Sequence, residues 1–474
     1  MDVSVLFRQI IRKKSIQELM DGTRNGPSLR RVLGPAELTL LGIGAIIGTG
    51  IFVITGVAAA QYSGPALILS FVISGAVCAF AALAYAEFAS MVPIAGSAYT
   101  YSYASLGEIW AWIIGWDLIL EYAVSVAAVA IGWSGYMVGL LQSVGILLPD
   151  MFTNPPGTGG GFINLPAILV ILGISLLLIV GVQQSARVNT VIVLVKLAVI
   201  VLFLFLGFSH ISGANWIPFM PYGWTGVVTG AAIVFFAYIG FDAVSTAAEE
   251  VRDPQVNLPK GIVGSLIVCT LLYILVSAVL TGMVPYTLLG TTTAPVAFAL
   301  IYNGIAWGGA LVSVGAICGI TSVLLVLLFG QSRIFFAMAR DGLLPPFFGS
   351  VHPVYHTPAK VTLLIGGVTA LIAGFLPLQS VAELVNIGTL AAFIIVSAGV
   401  IVLRRSQPGI ARPFRCPFVP LVPLLCIGSC SILILSLPTL THLRFVIWLV
   451  IGLVIYLIYG RKSCRRVVDA SCRV

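Results

Sequence analysis

Lys196 is the residue of this sequence whose type and position point most directly to chemistry. Of 24 lysines and arginines, it is the one that lies in the middle of a long apolar run, residues 191–206. An ammonium group in the hydrocarbon core of a membrane is unfavourable, so it needs polar partners and usually has a function. Because a buried lysine titrates readily, we interpret Lys196 as a site of proton binding and release. A permanently charged strut between helices is the alternative interpretation.

Two apolar runs contain residues that weaken a helix. The first carries four glycines within residues 42–50, and each glycine destabilises a helix by about 1 kcal/mol. Close helix packing through Gly44 and Gly48 is one explanation, whereas a phosphate-binding glycine loop is excluded because no strand precedes these residues. The second interruption lies at residues 235–242 and includes Gly240. We interpret both as unwound breaks whose free backbone groups line a cavity.

An unwound break exposes amide groups at one half-helix end and carbonyl groups at the other. Amides suit a carboxylate and carbonyls suit an ammonium, so a zwitterionic α-amino acid fits such a site without any charged side chain. The predicted carboxylate ligands are the amides of Gly48, Thr49 and Gly50, and the predicted amine ligands are the carbonyls of Ile46, Phe236, Ala237 and Ile239.

Acidic residues in the apolar runs are further candidates. Asp117 and Glu121 are four residues apart and share a helix face. Glu121 is the better candidate for the cavity, where it would contact a cationic side chain or hold a proton; pairing with a buried polar group is the alternative. Asp242 follows the second break, and we interpret it as a helix cap rather than a proton carrier. Glu87 is expected near the inner membrane face or in an inner gate.

The elements that must position these residues are membrane-spanning helices. The sequence is 59% hydrophobic and only 8% charged, and it contains runs of about 18 or more mostly apolar residues. The sequence therefore predicts an all-α integral membrane protein. The twelve predicted spans cover roughly residues 37–60, 65–92, 106–142, 163–182, 187–208, 225–250, 260–283, 310–338, 358–376, 381–403, 419–437 and 443–460.

Basic residues predict the orientation of these spans. Both tails are basic, and ten further lysines and arginines fall in alternate predicted loops, which places 22 of the 24 on one face. Positive charge marks the cytoplasmic side, so we expect both termini to be cytoplasmic in a multi-pass protein of the cell membrane. The net charge of +8 is explained by this topology, and no nucleic acid partner is indicated.

The two breaks and Lys196 are predicted to lie at one depth. With a rise of about 1.5 Å per residue, Thr49 lies roughly 18 Å and Lys196 roughly 14 Å from the cytoplasmic face, and Gly240 lies roughly 22 Å from the outer face. The broken spans are the first and the sixth, as two inverted repeats of five helices require. The predicted divisions are a tail at 1–35, repeats at 36–210 and 211–404, two extra helices at 405–460, and a tail at 461–474.

Three stretches resemble a known family. GIGAIIGTGIFVITG, FFAYIGFDAVSTAAEEVRDPQ and SRIFFAMARDGLLPP are similar to signature stretches of the amino acid-polyamine-organocation superfamily, close to its cationic amino acid transporters. The resemblance implies a five-plus-five inverted-repeat fold with two extra helices, alternating access, and Phe236 as an aromatic gate. It also implies that Lys196 bridges carbonyls near Gly44 to the eighth span, where Thr321 and Ser322 are candidates.

The expected function is therefore proton-coupled symport of L-amino acids, neutral, cationic or both, with exchange independent of protons as the alternative. The apolar stretch at residues 323–328 predicts that neutral amino acids bind at least as well as arginine or lysine. A membrane enzyme is disfavoured because no HExxH, GxSxG or clustered metal ligands occur, and a channel because no filter motif occurs. No catalytic residue, metal or cofactor is predicted, and no protein partner is indicated.

Overall fold

The computed structural model of this chain describes residues 33–92, 97–181, 186–246, 248, 251–355 and 357–460. Regular secondary structure in these ranges is helical. An isolated β-bridge pairs Leu33 with Val251, and the Arg252 amide donates to the Leu33 carbonyl at 2.9 Å. The segment before the first helix is thereby joined to the segment after the sixth.

The apolar helices are numbered α1 to α12 in chain order, and two of them are interrupted. α1 consists of Pro35–Ile46 and, after a break, residues 50–63; α6 consists of Gly223–Val234 and a tight turn, Phe235–Tyr238, before a short helix, Ala243–Thr246. The others are α2 Leu67–Met91, α3 Glu108–Ser143, α4 Leu165–Val180, α5 Ala186–Phe208, α7 Pro254–Met283, α8 Ala306–Arg340, α9 Ala359–Phe375, α10 Leu378–Ser406, α11 Leu421–Leu435 and α12 Thr439–Ile455.

Seven helical segments of the described chain are long and apolar enough to cross a membrane, and five further apolar helices are shorter. The halves of α1 and α6 that precede the breaks are among the shorter ones, because each break ends the regular helix early. These are the helices of a multi-pass membrane protein.

The helices extend further than the apolar runs at several ends, which corrects the predicted loops. α7 begins at Pro254 and not at residue 260, α12 begins at Thr439 and not at residue 443, and α10 continues to Ser406, past the predicted end at residue 403. A helix satisfies its own backbone beyond the hydrocarbon boundary, so it continues into flanking basic residues. In the predicted sixth span at 225–250, the regular helix ends at Val234, where the predicted interruption at 235–242 begins.

α3 lies at the centre of the bundle, where it packs against α8 and α10. α2 packs against α7, α4 against α9, and the second half of α1 against the turn of α6. Residues on α3 from Leu118 to Ile131 are buried throughout. The two interrupted helices therefore meet inside the molecule and not at its surface.

Candidate functional site

The break in α1 lies between Ile46 and Gly50. The Ile47 amide still donates to the Ile43 carbonyl, but the Ile47 backbone turns to an extended conformation with ψ 103°. Regular bonding resumes where the Phe52 amide donates to the Gly48 carbonyl at 3.3 Å. A helix that ends in this way leaves its last carbonyls without partners in the helix.

Lys196 of α5 binds two of these carbonyls. Its side chain is fully buried, and Nζ lies 2.8 Å from the Gly44 oxygen and 3.1 Å from the Ile47 oxygen. A charged donor on backbone acceptors forms the stronger class of hydrogen bond. The contact expected near Gly44 is present, and it joins α5 to the end of the first half of α1.

The contact of Lys196 with α8 differs from the expected one. Thr321 Oγ1 donates to the Ile317 carbonyl and accepts from Trp133 Nε1, and Ser322 Oγ donates to the Gly319 carbonyl. Serine and threonine hydroxyls in a helix commonly donate to the carbonyl three or four residues earlier. The sequence alone does not show whether such a hydroxyl bonds within its helix or to another helix. The aliphatic part of Lys196 instead packs over Gly319, where a Cβ atom would lie 2.8 Å from the lysine Cγ.

The break in α6 packs directly against the break in α1. After the turn, Ile239 is extended and Gly240 has a φ of +110°, a conformation that favours glycine. A Cβ on Gly240 would lie 2.9 Å from the Ala45 oxygen, and a Cβ on Gly50 would lie 2.3 Å from the Ala237 Cα. The two backbones approach so closely that neither position has room for a side chain.

Tyr273 of α7 touches both breaks. Its buried hydroxyl lies 3.0 Å from the Ile46 oxygen and 2.7 Å from the Ala237 oxygen. Sequence reasoning missed this residue, because a tyrosine in an apolar helix is usually explained by packing with its hydroxyl satisfied nearby.

Asn386 of α10 binds the end of the regular part of α6. The side chain is fully buried, and Nδ2 lies 2.7 Å from the Ala232 oxygen and 3.1 Å from the Ile233 oxygen. Sequence reasoning missed Asn386 as well. Its one sequence signal is that it is an asparagine inside an apolar run, where a buried amide needs a partner.

The predicted substrate residues lie along the two breaks and are almost entirely buried. Gly48 faces Val323 of α8, and Thr49 Oγ1 donates to the Val129 carbonyl of α3 at 3.3 Å. The Phe236 ring is 5% exposed, and the Phe236 carbonyl accepts from the Ile239 amide at 3.3 Å. Ile239 is partly exposed. The structure brings these residues together with Lys196 in the layer where the helices are broken.

The acidic residues of α3 and α6 lie beside this layer. Glu121 is 3% exposed and lies near Thr389 of α10, whose hydroxyl donates to the Val385 carbonyl at 3.1 Å. Asp117 is equally buried and packs against Gly388 of the same helix. Asp242 accepts a hydrogen bond from Ser97 Oγ at 3.3 Å through its side chain, while its backbone carbonyl accepts the Ser245 amide at 2.8 Å. This hydrogen bond joins the Asp242 side chain to the helix Ser97–Ser105.

Glu87 anchors the connection between α10 and α11. Its buried carboxylate accepts from Arg404 Nη2 at 2.6 Å and Nε at 3.0 Å, pairs with Arg412 Nε at 3.4 Å, and accepts from the Cys416 amide at 2.8 Å. Burial and the neighbouring carboxylate raise the pKa of the Cys416 thiol to about 12, so the thiol stays protonated at neutral pH. Glu87 therefore holds a loop in place at this end of the bundle.

A second buried carboxylate joins helices at the opposite end. Glu383 of α10 accepts from Gln379 Nε2 at 3.1 Å and from Thr441 Oγ1 of α12 at 2.7 Å, and Gln379 also donates to the Tyr62 hydroxyl at 2.6 Å. This network connects the end of α1 with α10 and α12. Across the part of the chain that the structure describes, no group of three His, Cys, Asp or Glu residues could hold a metal ion.

Comparisons with known proteins cover nearly the whole chain. A family model described as amino acid permease matches residues 33–459. A branched-chain amino acid permease of Bacillus subtilis (strain 168) is 51% identical over 96% of this chain and 98% of its own length. A methylthioribose transporter of the same organism is 52% identical over the same shares of both chains. The vacuolar cationic amino acid transporter 4 of Arabidopsis thaliana is 37% identical over 85% of this chain and 68% of its own length.

Proposed function

This chain belongs to the amino acid permease family, and on that premise we propose that it carries neutral L-amino acids across the cell membrane together with protons. It is a membrane transporter and not an enzyme. The observation that carries the proposal is the pair of buried hydrogen bonds from Lys196 to the Gly44 and Ile47 carbonyls, beside two broken helices.

The proposed architecture is twelve membrane spans, α1 to α12, with inverted repeats at residues 36–210 and 211–404. The pairing of α2 with α7, α3 with α8 and α4 with α9 supports it, since each pair is five helices apart. Helices α11 and α12 at 405–460 stand outside the repeats. The basic residues of the sequence support cytoplasmic tails at 1–35 and 461–474.

The proposed substrate site uses the backbone of both breaks. Amides of Gly48, Thr49 and Gly50 bind the carboxylate, and carbonyls of the α1 and α6 breaks bind the amine. The Ile46 and Ala237 carbonyls share the single Tyr273 hydroxyl proton, but a carbonyl oxygen has two lone pairs and at least one remains for the substrate. Phe236 closes over the bound amino acid in this scheme.

An apolar side chain suits the remaining wall of the site. Val323 of α8 faces Gly48, and residues 323–328 are all apolar. A cationic side chain placed there without a partner would be several kcal/mol less stable. The branched-chain permease among the relatives supports a neutral substrate. The equally similar methylthioribose transporter makes a neutral thiosugar the second candidate.

The proposed coupling depends on Lys196. A protonated lysine holds the end of the first half of α1, and loss of the proton weakens both hydrogen bonds, because a neutral amine is a poorer donor than an ammonium. The two protonation states therefore favour different positions of α1. Exchange of amino acids without protons is the alternative, and counterflow in the absence of a pH gradient, together with no accumulation when a proton gradient is imposed, would indicate it.

A competition panel in proteoliposomes tests the substrate class. Uptake of radiolabelled leucine is measured under an inward proton gradient with excess leucine, alanine, arginine, lysine or methylthioribose. We expect competition by the neutral amino acids at least as strong as that by arginine. If arginine and lysine compete and alanine does not, the apolar wall is not the determinant and Glu121 is. If labelled leucine is not taken up and labelled methylthioribose is, the backbone site does not serve amino acids.

A further inference from the structure

The first observation concerns where Asn386 binds. Residues 232 and 233 belong to the last turn of regular helix in α6, before the turn Phe235–Tyr238. Carbonyls at such an end need partners from elsewhere. The Asn386 amide supplies both hydrogen bonds, at 2.7 Å and 3.1 Å, from a side chain with no solvent exposure.

The second observation is that Lys196 makes the equivalent contact in the other half of the chain. Gly44 lies nine residues after Pro35, where α1 begins, and Ala232 lies nine residues after Gly223, where α6 begins. The donor is on α5 in one case and on α10 in the other, again five helices apart. In each interrupted helix, one carbonyl at the same distance from the helix start therefore accepts from a buried donor on the equivalent helix. The second acceptors, Ile47 and Ile233, lie at different distances from the helix start.

We propose that Asn386 is the positioning residue of the α6 break and the second-half counterpart of Lys196. It holds the end of the regular helix, and thereby sets the direction of the carbonyls of Phe236, Ala237 and Ile239 that take the substrate amine. This inference rests on the proposed function for the identity of the substrate. The two donors differ in one respect: a lysine can lose its proton, whereas an asparagine amide stays neutral. The hydrogen bonds at the α6 break therefore do not depend on pH, whereas those at the α1 break change when Lys196 gains or loses a proton.

The chemistry of the contact predicts which substitution is most damaging. The Asn386 Oδ1 atom has no hydrogen-bond partner among the described residues. The hydrogen bonds of this side chain are therefore those that its two N–H groups donate. Asn386→Asp has nearly the same shape but places an acceptor against the Ala232 and Ile233 carbonyls. We expect the KM for leucine to rise at least about tenfold, which corresponds to roughly one hydrogen bond.

Asn303 provides a matched control elsewhere in the chain. Its Nδ2 also donates to two backbone carbonyls, Met283 at 3.2 Å and Ala299 at 2.9 Å, but it lies next to neither break. Asn303→Asp makes the same chemical change to an amide with two backbone carbonyl acceptors, at a half-buried position where Asn386 is fully buried. We expect its KM for leucine to stay within about twofold of the wild type, since the control lies outside the proposed site.

The experiment measures leucine uptake by the full chain in proteoliposomes, with 4-methylpentanoate, which is leucine without its amine, as competitor. A positioning role predicts that Asn386→Asp also reduces the preference for leucine over 4-methylpentanoate, whereas a general loss of stability leaves that preference unchanged. The dependence of uptake on the proton gradient should persist, in contrast to Lys196 variants. Thermal unfolding in detergent verifies that each variant is folded.

The outcomes separate this inference from the proposed function. If the wild type transports no amino acid, the proposed function fails. If the wild type transports leucine and Asn386→Asp matches Asn303→Asp in both KM and preference, the inference is overturned. If Asn386→Asp does not fold, Asn386→Ser decides, because it is uncharged and retains a single donor. If Asn386→Ser has the wild-type KM for leucine and the wild-type preference for leucine over 4-methylpentanoate, the inference is also overturned.

Discussion

At the scale of the residue, Lys196 is the one buried lysine among the described residues, and it lies beside the two breaks. Its two hydrogen bonds end on carbonyls that the helix itself cannot satisfy. Carbonyl contacts of this kind stabilise the charged form, and they are lost if the first half of α1 moves. Movement of α1 and release of the proton are therefore linked in the proposed mechanism.

We expect Lys196→Ala to abolish accumulation of leucine while the protein remains inserted in the membrane. The substitution leaves two carbonyls without a partner, at about 1–3 kcal/mol each, and removes the titrating group. Lys196→Arg should not restore accumulation, because arginine stays protonated. Gradient-driven uptake and counterflow are compared in proteoliposomes, with the exposed Lys260→Ala as control. Normal accumulation by either Lys196 variant would contradict the assignment.

Glu87 is the second residue with a defined prediction. Glu87→Gln removes a negative charge from between Arg404 and Arg412, and the arginines then face each other without a counter-ion. We expect a loss of about 2–4 kcal/mol in the free energy of unfolding, because breaking a buried ion pair from one side leaves an unpaired charge. Thermal unfolding in detergent measures it. The exposed Glu37→Gln is the control, and equal unfolding temperatures for the two variants would argue against this anchoring role.

At the scale of the element, the close contact between the two breaks determines where the half-helices end. Gly50 meets Ala237, and Gly240 meets the Ala45 carbonyl, so each interrupted helix has glycine where the other approaches. The proposed substrate ligands from α1 and α6 are held together by this contact and by the Tyr273 hydroxyl. The geometry of the two breaks therefore depends on backbone packing as well as on the hydrogen bonds of Lys196.

Gly50→Ala is expected to abolish leucine binding. A methyl group there would lie 2.3 Å from the Ala237 Cα, so the two breaks must separate, at about 1–3 kcal/mol or more. Gly367→Ala in α9 is the matched control, because no atom lies within 4 Å of the added methyl group. Binding is measured by leucine-induced stabilisation in detergent. Equal stabilisation of the two variants would show that the contact between the breaks is not needed.

At the scale of the whole molecule, the sequence was sufficient for the all-helical membrane class, the family and the location of the breaks. Glycines within residues 42–50 and at Gly240 weaken a helix locally, so the interruptions could be read from neighbouring residues. Partners such as Tyr273 and Asn386 could not be predicted from neighbouring residues. Each donates to a backbone carbonyl that is distant in the sequence, as Asn386 does to Ala232. Thr321 and Ser322 failed as partners of Lys196 because helical hydroxyls bond within their own helix.

Transport driven by protons is the central claim, and one measurement tests it directly. Purified wild-type protein is placed in sodium-free proteoliposomes, and radiolabelled leucine is followed under an inward proton gradient, with and without a protonophore. Each charge that moves inward through a potential of 100 mV adds about 2.3 kcal/mol to the driving force. We predict accumulation above the external concentration, which the protonophore abolishes. A strict requirement for sodium, or counterflow without any response to the proton gradient, would contradict the account.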